Sequence, residues 1–279
     1  MRKTYSEEIV QGIRFQFGAN WTAFLSTLDD ERIQGAENSL KWMLEISDLT
    51  GKTFLDIGSG SGLFSLAARR LGAVVFSFDY DSQAVACTKE LKRRYYPDDQ
   101  SWTIEEASIL NQYCLKFIEK FDIVYSWGVL HHTGDMKKAI DMSSKLVKEN
   151  GIFFISIYND QGFSSKIWLI IKKLYNKLPP LIRPLLVLLI ASLFELKYAL
   201  VRILRGKNPL PFQDWMQKKK ERGMSVWHDW VDWCGGLPFE VAKPEHIIVP
   251  LRKKGYTLQN IATSAGGWGC NQYVFRRIT

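Results

Sequence analysis

The sequence is poor in the features that mark a metal centre or a secreted scaffold. Its four cysteines, Cys87, Cys114, Cys234 and Cys270, form no C-x-x-C pair and have no histidine at ligand spacing. Neither a zinc site nor a disulfide framework is signalled, no metal is expected, and a reducing cytosol is the expected compartment. No Pro/Gly/Ser-rich linker interrupts the 279 residues, so one catalytic-sized domain with an elaborated lid is expected rather than several independent units. Long apolar runs are also scarce. The longest, Leu185 to Phe194, is broken by Ser192 and is about half the length of a membrane-spanning helix. Glu7 and Glu8 stand where a signal peptide needs its apolar core. Neither a leader nor a membrane span is expected.

What the chain does have is a core. A hydrophobic share of 46% against 24% charged residues suits a soluble globular protein and excludes disorder and collagen. The formal charge of +8 is unevenly spread. Between Phe163 and Lys207 lie nine cations (Lys166, Lys172, Lys173, Lys177, Arg183, Lys197, Arg202, Arg205 and Lys207) and one anion, Glu195, so this segment carries the whole excess.

Short apolar runs at 53 to 57, 74 to 79, 102 to 106, 121 to 126 and 151 to 157 alternate with helical patterns at 62 to 71, 82 to 95 and 135 to 148, the last closed by Asn150-Gly151. This rhythm predicts an α/β fold with a mainly parallel sheet. After Tyr158 it breaks. A basic, leucine-rich stretch runs to about Met224, then a helix is expected near 244 to 254 and strands near 256 to 262 and 271 to 277. Within the stretch, Ile167, Trp168, Ile171, Leu174, Tyr175 and Leu178 follow helical spacing, and Glu195, Tyr198, Arg202 and Arg205 form a polar stripe on a second helix. The expected segments are an N-terminal helical flap (1–50), a core (51–160), a basic helical lid insertion (161–225), and an aromatic loop with closing strands (226–279).

The most informative stretch is Phe54-Leu55-Asp56-Ile57-Gly58-Ser59-Gly60-Ser61-Gly62, in which three glycines at alternate positions follow a strand and open a helix. Such a turn lets a ligand approach bare backbone. A dinucleotide-binding turn needs its third glycine one position later, where Leu63 stands, so NAD is disfavoured.

Here the chain resembles the class I S-adenosylmethionine-dependent methyltransferases. Asp56 matches the acidic residue before their glycine-rich turn, and Asp79 the second acid at the end of the next strand. Tyr125-Ser126-Trp127-Gly128-Val129-Leu130-His131-His132 resembles the Val-Leu-His-His version of small-molecule members, including ubiquinone-biosynthesis O-methyltransferases. The resemblance covers roughly residues 50 to 160. It implies a doubly wound, seven-stranded Rossmann-like sheet and S-adenosylmethionine as cofactor. It further implies contacts from Asp56, Gly58, Gly60 and Gly62 to the amino-acid part, from Asp79 to the ribose, from Tyr80 and Ser108 near the adenine, and from Trp127 elsewhere on the cofactor. Phe15, Phe17-Gly18, Asn20 and Trp21 are candidates for a flap over it. The Asn/Asp-Pro-Pro-Tyr/Phe motif of adenine and glutamine methylating enzymes is absent, and no cysteine adjoins a proline as in RNA cytosine-C5 enzymes.

His131 and His132 are candidate general bases for a hydroxyl acceptor; the alternative is that one caps a helix and the other packs under the loop. Tyr158, Asn159, His228 and Trp233 are substrate candidates, against roles as turn or core residues. The expected reaction is methyl transfer to a small-molecule hydroxyl. An RNA-modifying enzyme and a noncatalytic cofactor-binding protein are the alternatives. For 163–207 a lid is the first reading, peripheral membrane contact the second and nucleic-acid binding the third.

Overall fold

The structure, a computed structural model, describes residues 5–18, 21, 25–26, 28–112, 119–206, 208–211, 215, 226–265 and 267–278. Seven strands form one sheet: β1 (Thr53–Ile57), β2 (Val74–Asp79), β3 (Trp102–Glu106), β4 (Phe121–Trp127), β5 (Val147–Tyr158), β6 (Tyr256–Ala262) and β7 (Cys270–Arg277). Their order is β3-β2-β1-β4-β5-β7-β6. The first five run parallel, and β7 enters antiparallel between β5 and β6. The expected seven-stranded, doubly wound α/β fold is the fold observed. Its order reverses between β1 and β4, where open α/β sheets bind their ligands.

Both faces of the sheet are covered, so the strands read as nearly continuous apolar runs. Successive residues alternate between two cores: Leu55, Val124, Phe153 and Ile155 lie in one, and Phe54, Ile123, Tyr125 and Phe154 in the other. The strand expectations hold closely. The expected helix to 148 does not: Met136–Lys145 is the helix, and Asn150-Gly151 lies inside β5. There the register jumps from Phe121 opposite Val147 to Ile123 opposite Ile152, and Asn150 takes a φ of 57°. The Asn-Gly pair makes a bulge in a strand instead of stopping a helix.

Among the described residues the helices are α1 (Tyr5–Val10), α2 (Asp30–Leu44), α3 (Leu63–Arg70), α4 (Ser82–Tyr95), α5 (Met136–Lys145), α6 (Phe163–Lys177), α7 (Arg183–Leu204), α8 (Val226–Gly235) and α9 (Pro244–Arg252). The chain divides into two compact units, Met1–Gln16 with Lys166–Leu237, and Phe17–Ser165 with Pro238–Thr279. The first sixteen residues and the aromatic stretch to Leu237 therefore group with the basic helices, unlike the segments expected from sequence. That stretch, expected as a loop, is the helix α8.

Within the helical unit, Trp168 of α6 stacks on Phe194 of α7 at 5.7 Å and tilts against Trp233 of α8 at 5.5 Å. Lys172 is almost fully buried and donates to the Trp233 carbonyl at 2.6 Å; burial pulls its pKa down to about 8. The helix α7 continues past Phe194 to Leu204, with Glu195, Lys197 and Arg202 among its later residues. An 18-residue stretch of it has a mean hydropathy of 1.9 and is 6% buried. By length and composition this helix is able to cross a membrane, which corrects the expectation that no segment is long enough.

Candidate active site

The glycine turn joins β1 to α3 and is bound on two sides. Gly58 and Ser59 donate backbone N–H groups to the Phe78 carbonyl at 2.8 and 3.2 Å, and the Ser59 hydroxyl meets Thr88 of α4 at 2.9 Å. Gly58 has a φ of 78°, and a Cβ there would lie 2.4 Å from Val129. Gly62, at φ 82°, would bring a Cβ within 3.0 Å of the Thr88 Cα. Only glycine meets both the left-handed backbone and the close approach.

Asp79, at the end of β2, reaches across to this turn. Its Oδ2 accepts the Gly60 N–H at 3.0 Å and its Oδ1 the Asp81 N–H at 2.9 Å. Burial raises its pKa to about 6 against the pull of those two bonds. Asp56 lies deeper. Its Oδ2 accepts from Ser65 at 2.5 Å, Ser65 from Ser77 at 2.7 Å, and Ser77 from the Trp102 indole N–H at 2.9 Å. These buried donors run in one direction toward the carboxyl. Burial pushes the Asp56 pKa to about 7, with Asp79 adding to the rise.

A folded pKa above the ordinary carboxylate value gives a stability contribution that is full below about pH 4 and lost as pH rises through about 7. Asp56→Asn keeps the shape and the Ser65 bond, so it is expected to remove that decline. Thermal melts at pH 5 and pH 8 check this. The wild type loses a few kcal/mol at most relative to the variant over that range, and parallel slopes for the two proteins would refute it.

The other expected cofactor residues lie past the neighbouring strands. Tyr80 follows β2 and is half-buried; Ser108 follows β3 and accepts the Leu110 N–H at 3.3 Å. Trp127 ends β4, 43% exposed, and its indole donates to Gln272 at 3.1 Å. Two parts of the expected flap lie here. A Cβ on Gly60 would come within 3.1 Å of the Trp21 ring, and the Gly18 N–H donates to Asp81 Oδ2 at 2.9 Å. Phe15 instead packs in the helical unit, 6.3 Å from Tyr175, and Asn20 lies outside the described residues. Asp81, which also caps α4 through the Gln83 N–H, was missed in the sequence. Its signal was an Asp-Ser pair opening a helix.

The two histidines part company. Both stand on the 3-10 turn Leu130–His132 after β4, one residue beyond the Val129 that packs on Gly58. His131 is fully buried, its Nδ1 accepting the Tyr158 N–H at 3.4 Å and its ring 4.0 Å from that of Tyr158. His132 is partly exposed, and its Nδ1 meets the Pro238 carbonyl at 2.5 Å. A carbonyl only accepts, so Nδ1 carries a proton, and in the neutral ring the lone pair is on Nε2. Phe17 at 5.0 Å and Tyr158 at 5.3 Å, edge-on, flank its ring. Phe239 packs on Tyr158 at 5.5 Å. Of the two candidate bases, His131 is enclosed by the core and His132 is the partly exposed one.

Among the substrate candidates, Tyr158 belongs to this aromatic cluster. Asn159 is tied into the sheet: its Oδ1 accepts from Asn271 at 3.1 Å and its N–H donates to the Gly269 carbonyl. Trp233 packs within the helical unit against Trp168. His228 lies on α8, and its side chain is outside the described residues.

The chain is 33% identical over 111 residues to the Ubiquinone biosynthesis O-methyltransferase of Glaesserella parasuis serovar 5 (strain SH0165), covering 40% of this chain and 47% of that protein. It is 34% identical over 122 residues to the protein of the same name from Pasteurella multocida (strain Pm70), covering 41% and 50%. The chain spans about half the length of the curated relatives it matches. Two solved structures share the fold. A magnesium protoporphyrin IX methyltransferase from Synechocystis PCC 6803 matches with a TM-score of 0.53 at 14% identity, over 88% of this chain and 83% of that one. A putative S-adenosylmethionine dependent methyltransferase from Listeria monocytogenes matches with a TM-score of 0.51 at 15% identity, over 88% and 98%. Residues 30–227 match the family model described as a methyltransferase domain. Because that model spans well over half the chain, the chain belongs to the methyltransferase-domain family, the S-adenosylmethionine-dependent methyltransferases of class I.

Proposed function

We propose that this chain transfers a methyl group to a hydroxyl oxygen of a small amphipathic acceptor of phenol or quinol type, with His132 as general base. The observation that carries the reading is the bond from His132 Nδ1 to the Pro238 carbonyl at 2.5 Å. It fixes the tautomer that presents Nε2 as an acceptor, as a hydroxyl nucleophile requires. The relatives named for ubiquinone biosynthesis support the acceptor class.

The residues present fit the family's cofactor. A glycine turn with no room for side chains stands at the switch point, and an acidic side chain ends the next strand. Bound S-adenosylmethionine supplies a methyl group made electrophilic by its sulfonium sulfur. Gly58, Gly60 and Gly62 would leave backbone bare for its amino-acid part, Asp79 would accept hydrogen bonds from the ribose hydroxyls, Tyr80 and Ser108 would border the adenine, and Trp127 would touch the cofactor elsewhere. Asp56 acts one step back, holding the turn through Ser65. Phe17, Tyr158 and Phe239 offer aromatic surface to an acceptor ring. His132 Nε2 takes the hydroxyl proton while the site holds donor and acceptor in line. We place the chain in a reducing cytosol, a reading supported by the small number of cysteines and the lack of any C-x-x-C pair in the sequence.

The test is a transfer assay with methyl-labelled S-adenosylmethionine over a panel of catechols, alkyl-chain phenols, amines and RNA. Methyl ethers from the phenolic acceptors are expected. Label appearing only on amines or RNA, or on no acceptor, would overturn the reading.

A further inference from the structure

The helical unit presents a surface that methyl transfer does not explain. On α7, Leu185, Leu188, Leu189, Leu193, Leu196 and Leu200 are each more than half exposed. Their spacing of three and four puts them on one face of a helix about 33 Å long. The opposite face is engaged by protein. Val187 is fully buried, Phe194 packs on Trp168 and on Trp230 at 5.6 Å, and Glu195 accepts from the Trp215 indole at 2.9 Å. The only anion of 163–207 is thus turned inward, where Arg202 also faces it at 3.9 Å.

Within the helical unit the leucines of α7 thus face outward while Glu195 faces its own neighbours. α6 repeats the device: Phe163, Ile167, Ile170 and Leu174 are exposed at helical spacing, with exposed Lys166, Lys173 and Lys177 along their flank. A leucine face rimmed by cations suits a surface that is apolar within and anionic at its edge. A second copy of the chain would set this positive charge against itself. A nucleic acid would match the charge but leave the leucines in water.

We propose that α7 and α6 form an interfacial anchor, lying in the plane of a bilayer with the leucine face among the acyl chains and the lysines and arginines at anionic phospholipid headgroups. α7 does not span the membrane, because one of its faces is committed to Trp168, Trp230 and Trp215. A chain so held meets acceptors that are themselves dissolved in lipid.

The experiment is co-sedimentation of the full chain with vesicles of phosphatidylcholine alone or with about 30% phosphatidylglycerol, an anionic fraction that the surface-charge argument requires. Leu189→Asp/Leu196→Asp and Lys173→Glu/Lys177→Glu serve as variants, and S-adenosylhomocysteine titration runs alongside. Sedimentation with the anionic vesicles is expected, at least about tenfold weaker for both variants, with release at alkaline carbonate pH and unchanged nucleoside binding throughout. That last readout separates failure of the anchor from failure of the methyltransferase reading. The proposal is overturned if the protein stays in the supernatant with anionic vesicles, if the leucine variant sediments like the wild type, or if carbonate fails to release it. A dimer that the leucine variant breaks, or retention on RNA without retention on vesicles, overturns it as well.

Discussion

Asp79→Ala is expected to weaken S-adenosylhomocysteine binding by about two orders of magnitude or more. Hydrogen bonds to a charged acceptor contribute about 1.5 to 3 kcal/mol each, and the proposed ribose contact uses two hydroxyls. The same carboxylate also receives the Gly60 and Asp81 N–H groups, so the variant loosens the turn on which the rest of the cofactor would rest. Asp79→Asn, which keeps one acceptor, should fall between wild type and alanine. The pH dependence has a definite sign. With its pKa raised to about 6, the wild-type carboxylate gains charge as pH rises through 6. Hydroxyl donors prefer the charged form, so affinity should climb from pH 5 to about 7.5 and then level off, while the asparagine variant stays flat. Calorimetric titration across that range measures both effects. Equal affinity in wild type and alanine variant would remove Asp79 from the site.

His132→Gln is expected to slow methyl transfer by about 10²- to 10⁴-fold, the usual contribution of a positioned general base, with nucleoside binding intact. Glutamine can still donate to the Pro238 carbonyl, so the loop keeps its anchor and only the proton acceptor is lost. The acidic limb of the pH–rate profile should vanish with it. His131→Ala should behave differently: its ring is fully buried against Tyr158, so the cost is stability, about 3 kcal/mol for an aromatic-sized cavity. If His131→Ala abolishes turnover in a protein that remains folded while His132→Gln does not, the roles are reversed.

The core was legible because each strand of a doubly wound sheet is a short apolar run between helical patterns, and β1, β2 and β3 fell where those runs lie. The glycine turn and the two acids were legible for the same reason, since spacing along one chain decides them. Asn150-Gly151 misled because a positive φ serves a bulge as well as a helix stop. The division of labour between His131 and His132 had no local signal. It rests on a backbone carbonyl more than a hundred residues away, and a carbonyl looks alike at every position. Which face of α7 is exposed had no signal either, because periodicity gives the faces of a helix but not which one meets protein. Tryptophans 168, 215 and 230 settle that only once the chain is folded.

The chain passes between its two compact units at Gln16/Phe17, Ser165/Lys166 and Leu237/Pro238. Two of these crossings end on a residue that touches His132, Phe17 and Pro238, and the Phe15 N–H bonded to the Leu237 carbonyl at 2.9 Å ties them together just upstream. The basic helices are therefore no exchangeable cassette. Excising 166–237 would cut the covalent tether that aims the imidazole, so any trimmed catalytic core must be joined from Ser165 to Pro238 by a bridge that leaves that carbonyl in place.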